Sequence, residues 1–144
     1  MKLLRVVYTS KATSQFNKRD LLDLLHDSRA YNSLDHISGV LIHKDGYFLQ
    51  IIEGECDKII ELLGRLVIDK RHSHFNIISD DTVDNRLFSK WAMGCADFND
   101  PSLSMIPGIL RNFENPKVAH QLSDQLPAIA NFLHDNLSEE QVYG

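Results

Sequence analysis

Apolar residues recur along the chain with two different periods. Residues 3–9 alternate, placing Leu4, Val6 and Tyr8 on one strand face and Leu3, Arg5, Val7 and Thr9 on the other. Asn17 then offers an N-cap, with Asp20 three residues on at the positive end of a helix. That helix runs through Leu21, Leu22, Leu24, Leu25 and Ser28 toward Asn32, and positions 21, 25, 28 and 32 share one face. Residues 37–43 form a second strand. Lys44-Asp45-Gly46 signals a hairpin, because Asp-Gly suits the positive φ angles of a tight turn. The chain returns over residues 47–53, with Phe48, Gln50 and Ile52 on one face. A helix over about 57–69 carries an apolar stripe at Ile59, Leu62, Leu63 and Leu66. Residues 75–79 form a fourth strand, and residues 91–98 a weaker fifth.

The order β-α-β-β-α-β followed by another strand predicts an α+β fold, the ferredoxin-like split arrangement with an added fifth strand and C-terminal helices. In that topology the first and third strands are neighbours. The two helices cover one face of the sheet, and something else must shield the other. The tail from about residue 100 is the candidate shield. Pro101, Pro107 and Pro116 punctuate it, and Val118, Leu122, Leu126, Ile129, Phe132, Leu133 and Leu137 give it an amphipathic helical pattern that Pro127 kinks or splits.

A length of 144 residues fits one globular unit, and 43% hydrophobic with 24% charged residues excludes a disordered or low-complexity chain. The net charge of -5 makes the chain a poor general binder of nucleic-acid phosphates, and Asp69-Lys70-Arg71-His72 is the basic run that stands out. That run also reads as a polar helix end. Cys56 and Cys95 are far apart and lack C-x-x-C spacing, which fits a reducing compartment. The apolar stretches fall short of the roughly 20 residues of a membrane span, and the N-terminus lacks the apolar core of a signal peptide. The expectation is a cytoplasmic protein with no membrane or nucleic-acid partner.

Two polar residues break the apolar faces. Tyr8 follows Leu4 and Val6, and Gln50 lies between Phe48 and Ile52, on strands that should be adjacent. A buried amide left unpaired costs roughly 1–3 kcal/mol. Asn32, at the end of the inward stripe of the first helix, points to the same region. Two readings stay open: a structural hydrogen-bond network of Tyr, Gln and Asn, or a slot between the helices for a flat ligand with a polar edge.

Other chemistry is sparse. The chain has no G-x-G-x-x-G, no G-x-x-x-x-G-K-[ST], no H-E-x-x-H and no G-x-S-x-G motif. His72-Ser73-His74 reads as solvated surface and not as a metal site, since further ligands are not evident. Asp80-Asp81-Thr82-Val83-Asp84 reads as a turn, because it lacks the Gly and distal Glu of a calcium loop.

Several stretches, in order, resemble the BLUF family of flavin-binding blue-light sensors, in its short single-domain form. They are Leu4-Arg5-Val6-Val7-Tyr8-Thr9-Ser10, Ser28-Arg29-Ala30-Tyr31-Asn32, Ile37-Ser38-Gly39-Val40-Leu41 and Gly46-Tyr47-Phe48-Leu49-Gln50-Ile51-Ile52-Glu53-Gly54. Asp69-Lys70-Arg71-His72 and Arg86-Leu87-Phe88-Ser89-Lys90-Trp91-Ala92-Met93-Gly94 complete the set. The resemblance covers residues 1–98, with residues 99–144 as a helical extension packing on the sheet. It implies FAD bound with its ring between the two helices. It further implies Tyr8 as the photoactive phenol, Gln50 as the switching amide and Asn32 as a ring-edge partner. Arg65, Asp69, Arg71 and His72 match positions near the ring or the ribityl–phosphate tail, Ser28 is a further match, and Trp91 and Met93 match the pair linked to signal output. The implied function is a non-enzymatic photoreceptor that signals through light-dependent protein–protein interaction, as a homo-oligomer and with a separate effector protein. The alternatives are a small ferredoxin-like enzyme, for which no nucleophile–base pair stands out, and a ligand-free interaction module.

Overall fold

The computed structural model describes residues 3–12, 34–44, 46–88 and 94–97, with isolated positions at 19, 23, 26, 27, 30, 32, 117 and 124. Five strands form one sheet: β1 (Leu3–Ala12), β2 (Ser38–Lys44), β3 (Tyr47–Glu55), β4 (His72–Val83) and β5 (Gly94–Asp97). Their spatial order is β4-β1-β3-β2-β5. Described positions 19, 23, 26, 27, 30, 32, 34 and 35 are helical and make up α1, and α2 is Cys56–Ile68. The predicted α+β arrangement is therefore present, with β1 and β3 adjacent and antiparallel. The added strand β5 lies beside β2 and runs parallel to it.

Two-residue alternation sorts the sheet into two faces. Tyr8, Phe48, Gln50 and Ile52 lie on one face, toward α2, where Ile59 approaches Gly54. Val7, Leu49 and Ile51 lie on the other, and both sets are buried. Lys44 pairs with Tyr47, which leaves a two-residue turn, and Gly46 has φ 82°, as the Asp-Gly signal predicts. His36 takes a left-handed φ of 54° at the end of α1, and the Ile37 N–H reaches back to the Asn32 carbonyl at 2.9 Å. This is a Schellman ending, and it fixes the last turn that carries Asn32.

Strand β4 departs from expectation. It spans 12 residues where the pattern predicts residues 75–79, and it includes Asp80 and Asp81 from the stretch read as a turn. The physical reason is its place at the sheet edge. Pairing with β1 satisfies its backbone on one side, while exposed carboxylates on the other discourage further strand addition. Its pairing with β1 shifts register twice, between Val7 and Tyr8 and between Thr9 and Lys11. The second irregularity sets His74 at φ 56° and breaks the simple alternation of His72 and His74.

Candidate functional site

Tyr8 and Gln50 are direct partners in the β1–β3 register. Both side chains are buried on the face that α2 covers. Above Gln50 lies a cavity of about 360 Å³, within the roughly 300–1,000 Å³ of small-molecule sites. Asn32 from α1 and Gln50 from β3 supply amides to its wall, and Leu62 and Leu66 from α2 supply apolar surface. The α2 stripe thus turns two of its residues toward the cavity, as its helical spacing requires.

Charged groups complete the lining. Arg65, Asp69, Arg71 and Asp27 all border the cavity. Arg71 donates from Nε to both Asp69 carboxylate oxygens at 3.1 Å and from Nη2 to Oδ2 at 2.7 Å. Its Nη1 reaches Asp27 Oδ2 on α1 at 2.9 Å. One guanidinium therefore ties the chain after α2 to α1. The Arg71 hydrogen bonds hold the Asp69 carboxyl below its usual range, and Asp69 in turn raises Arg71. Arg65 lies 3.6 Å from Asp35.

Tyr8 is held among rings. Its centroid is 4.5 Å from that of Phe75, with a 34° tilt, and His72 meets Phe75 edge-on at 5.9 Å. His72 Nε2 also contacts the Leu66 carbonyl of α2. Burial pushes the Tyr8 phenol well above its ordinary range, and the charge of Asp69 adds to this. The phenol is thus kept neutral.

Of the residues read from sequence, Asn32, Gln50, Arg65, Asp69 and Arg71 line one cavity. Tyr8 joins them through its register with Gln50, and His72 through the Phe75 ring and α2. Ser28, Trp91 and Met93 lie outside the described residues. Sequence reasoning did not single out Asp27, which borders the cavity and pairs with Arg71. Nor did it single out Phe75, whose place in β4 depends on the irregular register. Among the described residues no group of three His, Cys, Asp or Glu side chains could hold a metal, and no helix is long and apolar enough to cross a membrane.

The family model for BLUF, sensors of blue-light using FAD, matches residues 3–94. The chain belongs to the BLUF family. The photoactivated adenylate cyclase subunit beta of Euglena gracilis is 28% identical over 95 residues, which is 65% of this chain and 11% of that protein. This BLUF chain therefore spans about a tenth of the curated relatives it matches. Among solved structures, BlrB, a BLUF protein in its dark state, superposes with a TM-score of 0.77 at 22% identity, covering 92% of this chain and 98% of its own. The BlsA ground state superposes with a TM-score of 0.65 at 27% identity and 87% of each chain.

As a BLUF domain the chain senses blue light using FAD. The cavity suits that cofactor on its own chemistry. Asn32 and Gln50 can meet a heteroatom edge, Leu62 and Leu66 can pack on a flat ring, and Arg65 and Arg71 can face an anionic tail.

Proposed function

We propose that this domain converts blue light into a reversed Tyr8–Gln50 hydrogen-bond pattern and passes it on as a change in protein–protein contacts. The observation that carries this reading is the direct register of Tyr8 with Gln50 beside a cavity also lined by Asn32. FAD, when bound, supplies the blue absorption and an excited state able to take an electron from a phenol. The chain's residues do the rest. Tyr8 holds its proton in the dark, because burial disfavours the phenolate. Gln50 carries both donor and acceptor on one amide, so turning it reverses the hydrogen bonds it offers. Asn32 orients the ring edge, Ser28 is a further cofactor-binding residue, and Arg65, Asp69, Arg71 and His72 serve the surrounding wall and tail.

Trp91 and Met93 lead the change out through β5, and the domain itself is a sensor and not an enzyme. Residues 99–144 form a C-terminal helical extension that packs on the sheet and shields its far face. Two features support this. Val7, Leu49 and Ile51 are buried there although α2 covers the other face, and the described tail positions Lys117 and Asp124 are helical and exposed. Their spacing puts both on the polar side of the predicted stripe. The protein acts in the cytoplasm as a homo-oligomer and binds a separate effector protein, without membrane or nucleic-acid contact. A partner that binds both states equally senses nothing, so the contact must differ in affinity between dark and light.

The deciding experiment takes an absorption spectrum of the FAD-loaded protein before and after blue light, with sedimentation in both states. A reversible red shift with altered self-association or effector binding is expected. No shift defeats the photochemical reading, and a shift in a strict monomer that binds no protein defeats the output reading.

A further inference from the structure

Glu53 is an acid on an apolar face of β3, fully buried beside Leu49 and Ile51. Its carboxylate is fully engaged. Oε1 accepts from the Leu87 N–H at 3.0 Å and the Phe88 N–H at 2.8 Å. Oε2 accepts from Leu87 at 2.9 Å and from Arg5 Nε at 2.9 Å. Its backbone carbonyl accepts from Arg86 Nη1 at 3.0 Å, and the same nitrogen donates to Ser38 Oγ at 2.8 Å. Arg5 and Ser38 are the two cross-strand partners of Glu53 in the register, so one row across β1, β3 and β2 grips the loop at residues 85–88.

A buried ion pair is weak evidence of a stability role, because a well-packed apolar side chain often folds as well. What an apolar residue cannot do is hold two consecutive backbone N–H groups at a defined place. Those groups belong to Leu87 and Phe88, and Phe88 is itself fully buried. Residues 89–93 follow immediately, before Gly94 settles beside Val40 at the start of β5. Glu53 lies three residues from Gln50 on the same strand, with its side chain on the opposite face.

We propose that Glu53 is a positioning residue for signal output: its carboxylate fixes where the chain enters the 89–93 segment and ties that entry to the strand bearing Gln50. A displacement of β3 at Gln50 then moves Leu87 and Phe88 with it. The inference rests on the reading that output passes through Trp91, Met93 and β5.

The test compares FAD-loaded full-length wild type, Glu53→Gln and Arg5→Lys by absorption difference spectra and by light-minus-dark hydrogen exchange. Glu53→Gln keeps the size of the side chain but turns a donor toward groups that are themselves donors. It should keep the red shift while the exchange difference over residues 84–97 falls about fivefold or more. Arg5→Lys should show a smaller fall, because the bonds to Leu87 and Phe88 remain. A wild-type exchange difference in Glu53→Gln overturns the proposal. So does a parallel loss of red shift and exchange difference, which would place Glu53 in general stability. If Glu53→Gln does not fold, an unchanged exchange difference in Arg5→Lys overturns it instead. A wild type with no light–dark difference over 84–97 defeats the output reading itself, and the inference falls with it.

Discussion

Tyr8 and Gln50 stand directly opposite each other at the centre of the sheet, on β1 and β3, while the register of β1 with β4 slips on both sides of Tyr8. The β1–β3 side is regular over its whole length, and the β4 side is not. Regular pairing therefore sets Tyr8 opposite Gln50, while on its other side Tyr8 pairs with Ile77 and its ring packs on Phe75 beside the two irregularities.

Tyr8→Phe should keep bound FAD and lose the light-induced red shift. The ring still packs against Phe75 at the same place, while the hydroxyl proposed to give up the electron and proton is gone. The visible difference spectrum after blue light measures this directly. A normal red shift in the variant would remove Tyr8 from the photochemistry.

The same phenol should resist alkali. Its pKa is raised in the fold, so the neutral form is the one that folding favours. That preference is complete below the unfolded value of about 10 and is lost as pH rises above it. Ultraviolet titration should therefore give wild type and Tyr8→Phe the same tyrosinate amplitude until the protein unfolds. A smaller amplitude in the variant, below the unfolding transition, would show that Tyr8 ionises in the native state.

Much of this arrangement is legible in the two-residue period alone. Leu4, Val6 and Tyr8 set one face of β1, Phe48, Gln50 and Ile52 set one face of β3, and adjacency of the strands then brings Tyr8 to Gln50. Asn32 follows from helical spacing. The same logic applies to Glu53, which shares a face with Leu49 and Ile51, yet besides Arg5 its partners are backbone groups at Leu87 and Phe88 with no sequence signature. The register slips beside Tyr8 are set by tertiary pairing, so the place of Phe75 does not show in a local pattern. Asp80 and Asp81 look like a turn because acidic residues disfavour strands, and only an edge position makes them acceptable in β4.

Asn32→Ala should weaken FAD binding. The Schellman ending at His36 fixes the turn that presents this amide to the cavity, so its loss leaves a ring-edge group unpaired. The cost is roughly 1–3 kcal/mol, or about 5- to 150-fold in affinity. Calorimetric titration of apoprotein with FAD tests it, and unchanged affinity would dismiss Asn32 as a ligand.

Gly39→Ala should destabilise the fold by forcing β2 away from β3. An added Cβ at Gly39 would lie 2.0 Å from the Ile51 carbonyl oxygen, a backbone atom in the middle of the β2–β3 ladder. Such overpacking costs about 1–3 kcal/mol or more. Denaturant unfolding measures it, and wild-type stability would mean that the two strands can part at no cost.

Asp69→Asn should lower stability at neutral pH but not in acid. Asp69 is held below its usual pKa first by the side-chain hydrogen bonds of Arg71, and both groups are partly exposed. Solvent screening therefore limits the contribution to about 0.2–1 kcal/mol. Because the folded pKa is the depressed one, the stabilisation is present above the ordinary value of 3.8 and is lost as pH falls through the folded value. The gap in melting temperature between wild type and variant should be open at about pH 7 and close as the buffer is acidified below 3.8 and through the folded value. A gap that stays constant over this range would mean that Asp69 acts through packing and not through its charge on Arg71.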